Sequence, residues 1–276
     1  MLRILPSATA TATYQRQCAN GGPGPSDNVN ISAEFDKRIT ENFGVGIASG
    51  YNINRIRVDK THYGFDNVTV SAKYHVYTNA THEFIASIGV IRELGGTGTA
   101  NVGAGRFGST TPTVYFGKGL GDLPIGPLRT LAVTGTFGRQ ISDVPLKTSI
   151  GTDPSSGLPV VNYNQGSNDS WVVGMTIQCS IPYLQTQVKD YGLPQWRGRL
   201  TPLIEVAWSS PATRPSTGGT QFTVAPGVAY SGDSWQFAVV AIIPGNKQTG
   251  SNIGVIAQFH LYFDDIFPNS LGKPLF

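Results

Sequence analysis

The sequence predicts an all-β chain, folded as a single antiparallel up-and-down barrel of about twelve strands. Three observations lead there. Only 13% of the 276 residues are Asp, Glu, Lys or Arg, and 34 Gly with 18 Pro work against long helices. Apolar residues recur with period two in segment after segment, which places alternate side chains on opposite faces of a strand. The connections between those segments then sort by parity, one set mostly short and the other mostly long.

The strands run in order along the chain. Segment 7–16 alternates Ala8, Ala10, Ala12 and Tyr14 with threonines. In 28–38, Val29, Ile31, Ala33 and Phe35 share a face, and Asn30, Ser32, Glu34, Asp36 and Arg38 take the other. Val45, Ile47, Ser49, Tyr51 and Ile53 mark the third strand. Segment 67–77 places Val68, Val70, Ala72, Tyr74 and Val76 on one face, opposite Lys73, His75 and Tyr77; Phe84, Ala86, Ile88 and Val90 mark the next. Further strands are predicted at 111–117, 128–139, 170–180, 200–209, 220–230, 234–243 and 252–263. Pro202 and Pro226 lack a ladder donor, and mid-strand Pro226 predicts a bulge or a displaced register. No helical periodicity competes, and 181–193 reads as a loop. No linker interrupts the series, so residues 1–276 read as one domain with a short non-strand tail at 264–276.

The pattern also indicates the surrounding solvent. The longest apolar runs, such as 237–243, stop far short of the ~20 residues of a spanning helix. Yet between the ends of each strand no charge or imidazole falls on the apolar register. Such groups meet that register only at strand ends, as Lys37, His82, Arg92, Arg129 and Arg139, where long side chains can snorkel. A charge at bilayer depth costs ~2–4 kcal/mol. A mostly short set, 40–43, 78–81 and 231–233 with 119–127 intermediate and 181–199 an exception, alternates with a mostly long one, 17–27, 54–61, 93–109, 141–168, 210–219 and 244–250. Tyr14, Tyr51, Phe137, Trp171 and Trp208 mark the long-loop ends of strands, and Tyr230, Trp235 and Phe263 the short-turn ends. Two aromatic belts at the two interfaces suit a transmembrane barrel.

On this pattern of alternation, loops and belts, together with the terminal Phe276, the chain resembles a bacterial outer-membrane β-barrel over nearly its whole length. More loosely, its glycine-rich strands and the final strand IGVIAQFHLYF look like the transporters linked to phenol-degradation pathways. The resemblance implies an outer-membrane location, a lipid bilayer as partner, and transport as the activity.

The inward register predicts the site. Glu34, Asp36, Lys73, His75, Glu83, Glu205 and His260 are the lumen-lining candidates, expected either to pair with one another or to line a solute path. They are mixed with apolar Ile85, Ile91, Val172, Leu203, Val240, Ile242 and Ile256. A barrel of this size is narrow, which suggests passive passage of small, partly apolar solutes. The alternatives are a closed membrane barrel that binds partners through its long loops, and a secreted soluble β-sandwich binding module. The connection 141–168, rich in Pro, Gly and Ser, is expected to be an irregular, mobile external loop. A net charge of +3 argues against a nucleic-acid partner. No nucleophile elbow, phosphate loop or metal-spaced His/Cys set appears, so neither enzyme, cofactor nor metal is expected. Cys18 and Cys179 are expected to stand at opposite rims, unpaired. Residues 1–6 are too short for a signal peptide.

Overall fold

The computed structural model describes residues 6–18, 25–56, 60–164, 166–188, 192, 194–214, 216 and 218–276. Residues 1–5 of the short N-terminal stretch, most of the first long loop and the Cys18 side chain lie outside the described residues. Twelve strands make the wall: β1 (Ser7–Cys18), β2 (Pro25–Arg38), β3 (Phe43–Ile56), β5 (Val68–Asn79), β6 (Phe84–Leu94), β7 (Ser109–Gly119), β8 (Leu131–Ser142), β11 (Ser170–Cys179), β12 (Leu200–Pro211), β13 (Gln221–Ser231), β14 (Trp235–Pro244) and β15 (Gly254–Tyr262). Every pairing is antiparallel between neighbours in chain order, and β1 pairs with β15. The sheet closes without an edge. Each of these strands answers to one the alternation predicts, including the Ala-Thr strand β1, which supplies the seam.

The barrel is inside-out. Ile31, Ile47, Val114 and Ile204 are each about half exposed, on the outer face. The opposite register buries Ser7, Thr9, Asn52, Ser87 and Thr113. So broad an apolar surface on a closed sheet is the signature of lipid contact. Rings mark its limits. Trp171 stacks on Phe137 at 5.4 Å, with the Arg139 guanidinium 5.5 Å from the Trp171 ring, at the long-loop rim. Trp235 packs between Tyr230 and Phe259, at 5.7 and 5.9 Å, at the other rim.

Several local expectations are corrected. A short strand β4 (Thr61–Phe65) precedes β5 and extends the β3 ladder above the wall, from Tyr51 to Arg55. The connection after β8 is not irregular: β9 (Thr148–Thr152) and β10 (Pro159–Tyr163) form a hairpin there. Pro226 causes no bulge. Its register with β12 and β14 runs on unshifted, and only the β14 pairs of Ala225 and Pro226 are missing. A bulge occurs instead between His75 and Tyr77. A one-residue insertion reverses the facing of the residues beyond it, so Tyr77 leaves the inner register and packs its ring 6.2 Å from Phe84. Phe263 leaves the wall too: it opens a helical turn, Phe263–Ile266, and is nearly buried against Phe35 and Phe267. Segment 181–193, read as a loop with room for one or two helical turns, begins with two short turns, Ile181–Tyr183 and Leu184–Val188.

The tail after Phe263 holds to the short-turn rim. Lys37 Nζ donates to the carbonyls of Leu271 and Lys273 at 2.6 and 2.8 Å. The Leu275 and Phe276 amides both donate to the Ile39 carbonyl. Cys18 ends its strand at the long-loop side and Cys179 ends its own at the short-turn side, where Cys179 is a free thiol.

Candidate functional site

The interior divides into two halves with different chemistry. In the short-turn half lies a cavity of about 630 Å³, bordered by Ser7, Glu34, Asp36, Lys73, Tyr115 and His260. These residues come from β1, β2, β5, β7 and β15, on facing sides of the wall. The room comes from β3. A Cβ on Gly46 would stand 2.5 Å from Asp36 Oδ1 and 2.6 Å from Ser71 Oγ, so only glycine lets Asp36 lie flat against that strand. Lys73 extends over the Tyr115 ring, 4.4 Å from its centroid, a cation–π contact. His260 is hydrogen-bonded through Nδ1 to Thr9 Oγ1 at 2.8 Å, and its ring lies 4.6 Å from that of Tyr262.

Four predicted residues, Glu34, Asp36, Lys73 and His260, therefore meet around one space. Glu205 does not join them: it borders a smaller cavity of about 300 Å³, which shares Tyr115 with the first. His75 lies nearer the rim, bonded to Thr78 at 2.6 Å and Ser87 at 3.3 Å. Glu83 is a correction. It stands exposed in the β5–β6 turn with φ of 48°, and the Gly121 amide donates to its Oε2 at 2.9 Å. It lies too close to the turn to belong to the wall. The expected mutual pairing is absent as well: among the described residues, no ion pair joins any two of the seven candidates.

The long-loop half carries a network of amides and carboxylates that sequence reasoning passed over. Asn28 faces Asn54, and Asn30 faces Asn52, on adjacent strands β2 and β3. Asn28 donates to Asn54, and Asn30 to Asn52 at 2.8 Å and to Asp66 at 2.8 Å; Asn52 also donates to Asp66. Gly50 leaves the space, since a Cβ there would approach Asp66 Oδ2 to 2.7 Å. Farther round, Asn67 donates to Glu93 at 2.8 Å, Ser109 to Glu93 at 3.1 Å, and Gln140 to Ser109 at 3.1 Å. The signal was present as two Asn-x-Asn pairs on inward registers.

At the long-loop rim, Arg92 near the end of β6 grips Asp143, just past the end of β8, with two bonds of 2.5 and 2.6 Å. That bond holds the Asp143 carboxyl below the usual carboxylate range. Its mirror at the short-turn side is Asp122, lowered first by Lys118 and then by His82.

No protein-family model matches the chain, and no curated protein matches it. Solved structures do. An outer membrane channel from Pseudomonas putida F1 aligns over 95% of this chain and 97% of its own, with TM-score 0.61 and 11% identity. The NanC porin aligns over 92% and 98%, with TM-score 0.53 and 8% identity. The fold is that of bacterial outer-membrane channels. A third such neighbour, the KdgM porin in complex with disordered oligogalacturonate, aligns over 93% and 99%, with TM-score 0.50 and 11% identity. At these identities the likeness concerns the fold of the barrel and not its contents.

Proposed function

We propose that the chain, as one barrel domain with its tail at 264–276, is a passive outer-membrane channel for small, partly apolar solutes. The observation that carries this reading is the interior space of about 630 Å³ bounded by facing walls, within the ~300–1,000 Å³ that small ligands fill. Its lining, and that of the wall beyond it, suits partly apolar cargo. The rings of Tyr115, His260 and Tyr262 border the cavity, and Val240 and Ile242 are buried on the inward register of β14. These rings also support the finer reading, a transporter for the aromatic solutes of phenol-degradation pathways. Of the seven predicted lining residues, Glu34, Asp36, Lys73 and His260 are assigned to the path, with Glu205 beside it.

Conductance in a planar bilayer tests the channel itself. Ohmic current with discrete unitary steps is the expected result, and a silent membrane containing heat-modifiable protein would remove the reading. Liposome swelling tests the aromatic part. Phenyl glucoside is expected to enter no more slowly than the smaller methyl glucoside; a steep penalty for the phenyl ring would leave the channel and remove its aromatic preference.

The hairpin β9–β10 favours a second reading, a closed barrel that binds a protein partner through its loops. It exposes Ile150 at 82%, Leu158 at 65% and Tyr163 at 52%. Its base is clamped independently: Leu146 donates to the Ser167 carbonyl, Asn164 to that of Lys147, and Ser167 to that of Val144. Replacing 149–162 by a short turn is therefore expected to leave heat-modifiable folding intact. Unchanged conductance after that replacement would assign the hairpin to partner binding, and altered conductance would assign it to gating. Loss of folding would show that the hairpin supports the wall.

A further inference from the structure

Charge is sorted across the wall of this barrel. The chain as a whole carries +3, but its interior is acidic. Glu34, Asp36, Glu93 and Glu205 stand on inward registers, and Asp66 reaches in to Asn30 and Asn52. None of these five carboxylates is in an ion pair among the described residues. Among the described residues, two inward cations oppose them. Lys73 is engaged over the Tyr115 ring, and Arg38 lies at the rim, 3.6 Å from Asp264 and 3.3 Å from the Gly272 carbonyl. The remaining described arginines in ion pairs, Arg16, Arg92, Arg139 and Arg199, are at strand ends or in connections.

From this asymmetry we infer that the pore selects cations over anions, and that cationic or neutral solutes are its cargo class. The inference rests on the channel reading above. The carboxylates do not form a ligand set for one ion. They are spread along the barrel, from Asp66 and Glu93 in the long-loop half to Glu34 and Asp36 in the short-turn half. What they create is a field along the path. A narrow channel with low-dielectric walls and one sign of charge focuses that field and raises the local counter-ion concentration about tenfold or more. Chloride meets the same field as a barrier, offset among the described residues by Lys73 and the partly neutralised Arg38.

The test is the reversal potential of the full-length protein in a planar bilayer under a KCl gradient. A potential of the sign set by K⁺ is expected, with a K⁺ over Cl⁻ permeability ratio on the order of ten. Glu34→Gln with Asp36→Asn is expected to lower that ratio about twofold or more, and Lys73→Gln to raise it. The two changes have opposite signs, so a general disturbance of the barrel cannot imitate both. Heat-modifiable migration and retained unitary current verify that each variant is assembled. A reversal potential of zero or of the Cl⁻ sign in the unaltered protein would overturn the inference while leaving a channel. Absence of any current would overturn the channel reading on which it stands.

Discussion

Val239→Arg is expected to cost ~2–4 kcal/mol of barrel stability and to block assembly into the membrane, whereas Ser71→Arg assembles. Val239 is 38% exposed in the middle of β14 and is flanked by Val228 and Ala257 on neighbouring strands. A guanidinium there has only lipid to face, near the depth at which the cost is largest. Ser71 faces the cavity, where a long cation meets Asp36 and water. The measurement is the fraction of heat-modifiable protein after refolding into vesicles, then denaturant titration of the folded fraction. Equal yields for the two variants would mean that the outer face does not contact lipid.

Gly227→Val is expected to destabilise the wall by about 3 kcal/mol through overpacking. The added Cβ would run into the Val239 carbonyl and stand 2.8 Å from Val240 Cα. Both contacts are with backbone of the paired strand, which cannot move without opening the β13–β14 ladder. That ladder already lacks two pairs beside Gly227, at Ala225 and Pro226. Gly174→Ala is the matched control. Its nearest neighbour within 4 Å is the Thr136 hydroxyl at 2.9 Å, which can rotate away, so its cost is expected to be below about 1 kcal/mol. Denaturant midpoints in vesicles compare the two, and a Gly227→Val protein as stable as the Gly174→Ala control would refute the close approach of β13 to β14.

The twelve wall strands were legible because burial on one face imposes period two, and every strand of a closed barrel obeys it. Even the Ala-Thr alternation of β1 carried that information. The features that escaped have no period. The bulge between His75 and Tyr77 leaves the alternation intact in sequence and reverses facing only through the pairing with β6. Pro226 suggested a bulge on local grounds, but the neighbouring Gly227 lets β14 approach closely without one. The hairpin at 148–163 was hidden because Pro159 opens β10 and the turn at Asp153–Gly157 is closed by Asp153 itself: the Ser155 amide donates to its carboxylate at 2.8 Å. Composition showed the turn residues and not the strands beside them.

The candidate site was partly legible for the same reason. An inward register can be read from period two, which is how Glu34, Asp36, Lys73 and His260, the four that border the cavity, could be named from sequence. Which of them share a space depends on their height along the barrel and on the stagger between strands, and neither has a mark in a single sequence. Glu205 and His75 therefore stand apart from the cavity that the other four border. The amide network around Asp66 required a further fact: that the residues between β4 and β5 return to the wall above Gly50.

The seam between first and last strands bears on how this barrel comes into being. Ser7 pairs with Tyr262, and Thr9 bonds to His260 across 251 residues of chain. Every other wall contact joins strands close in sequence and can zip up hairpin by hairpin. The seam alone demands that the two ends of the strand series meet, at a loop-closure cost that grows with the logarithm of the separation. Until β15 is present, β14 and β1 both remain open edges with unpaired amides and carbonyls, in a sheet whose outer face is apolar. Such an intermediate is prone to edge-to-edge association. Synthesis and delivery of the final strand therefore set the moment at which the chain ceases to need protection from its own copies.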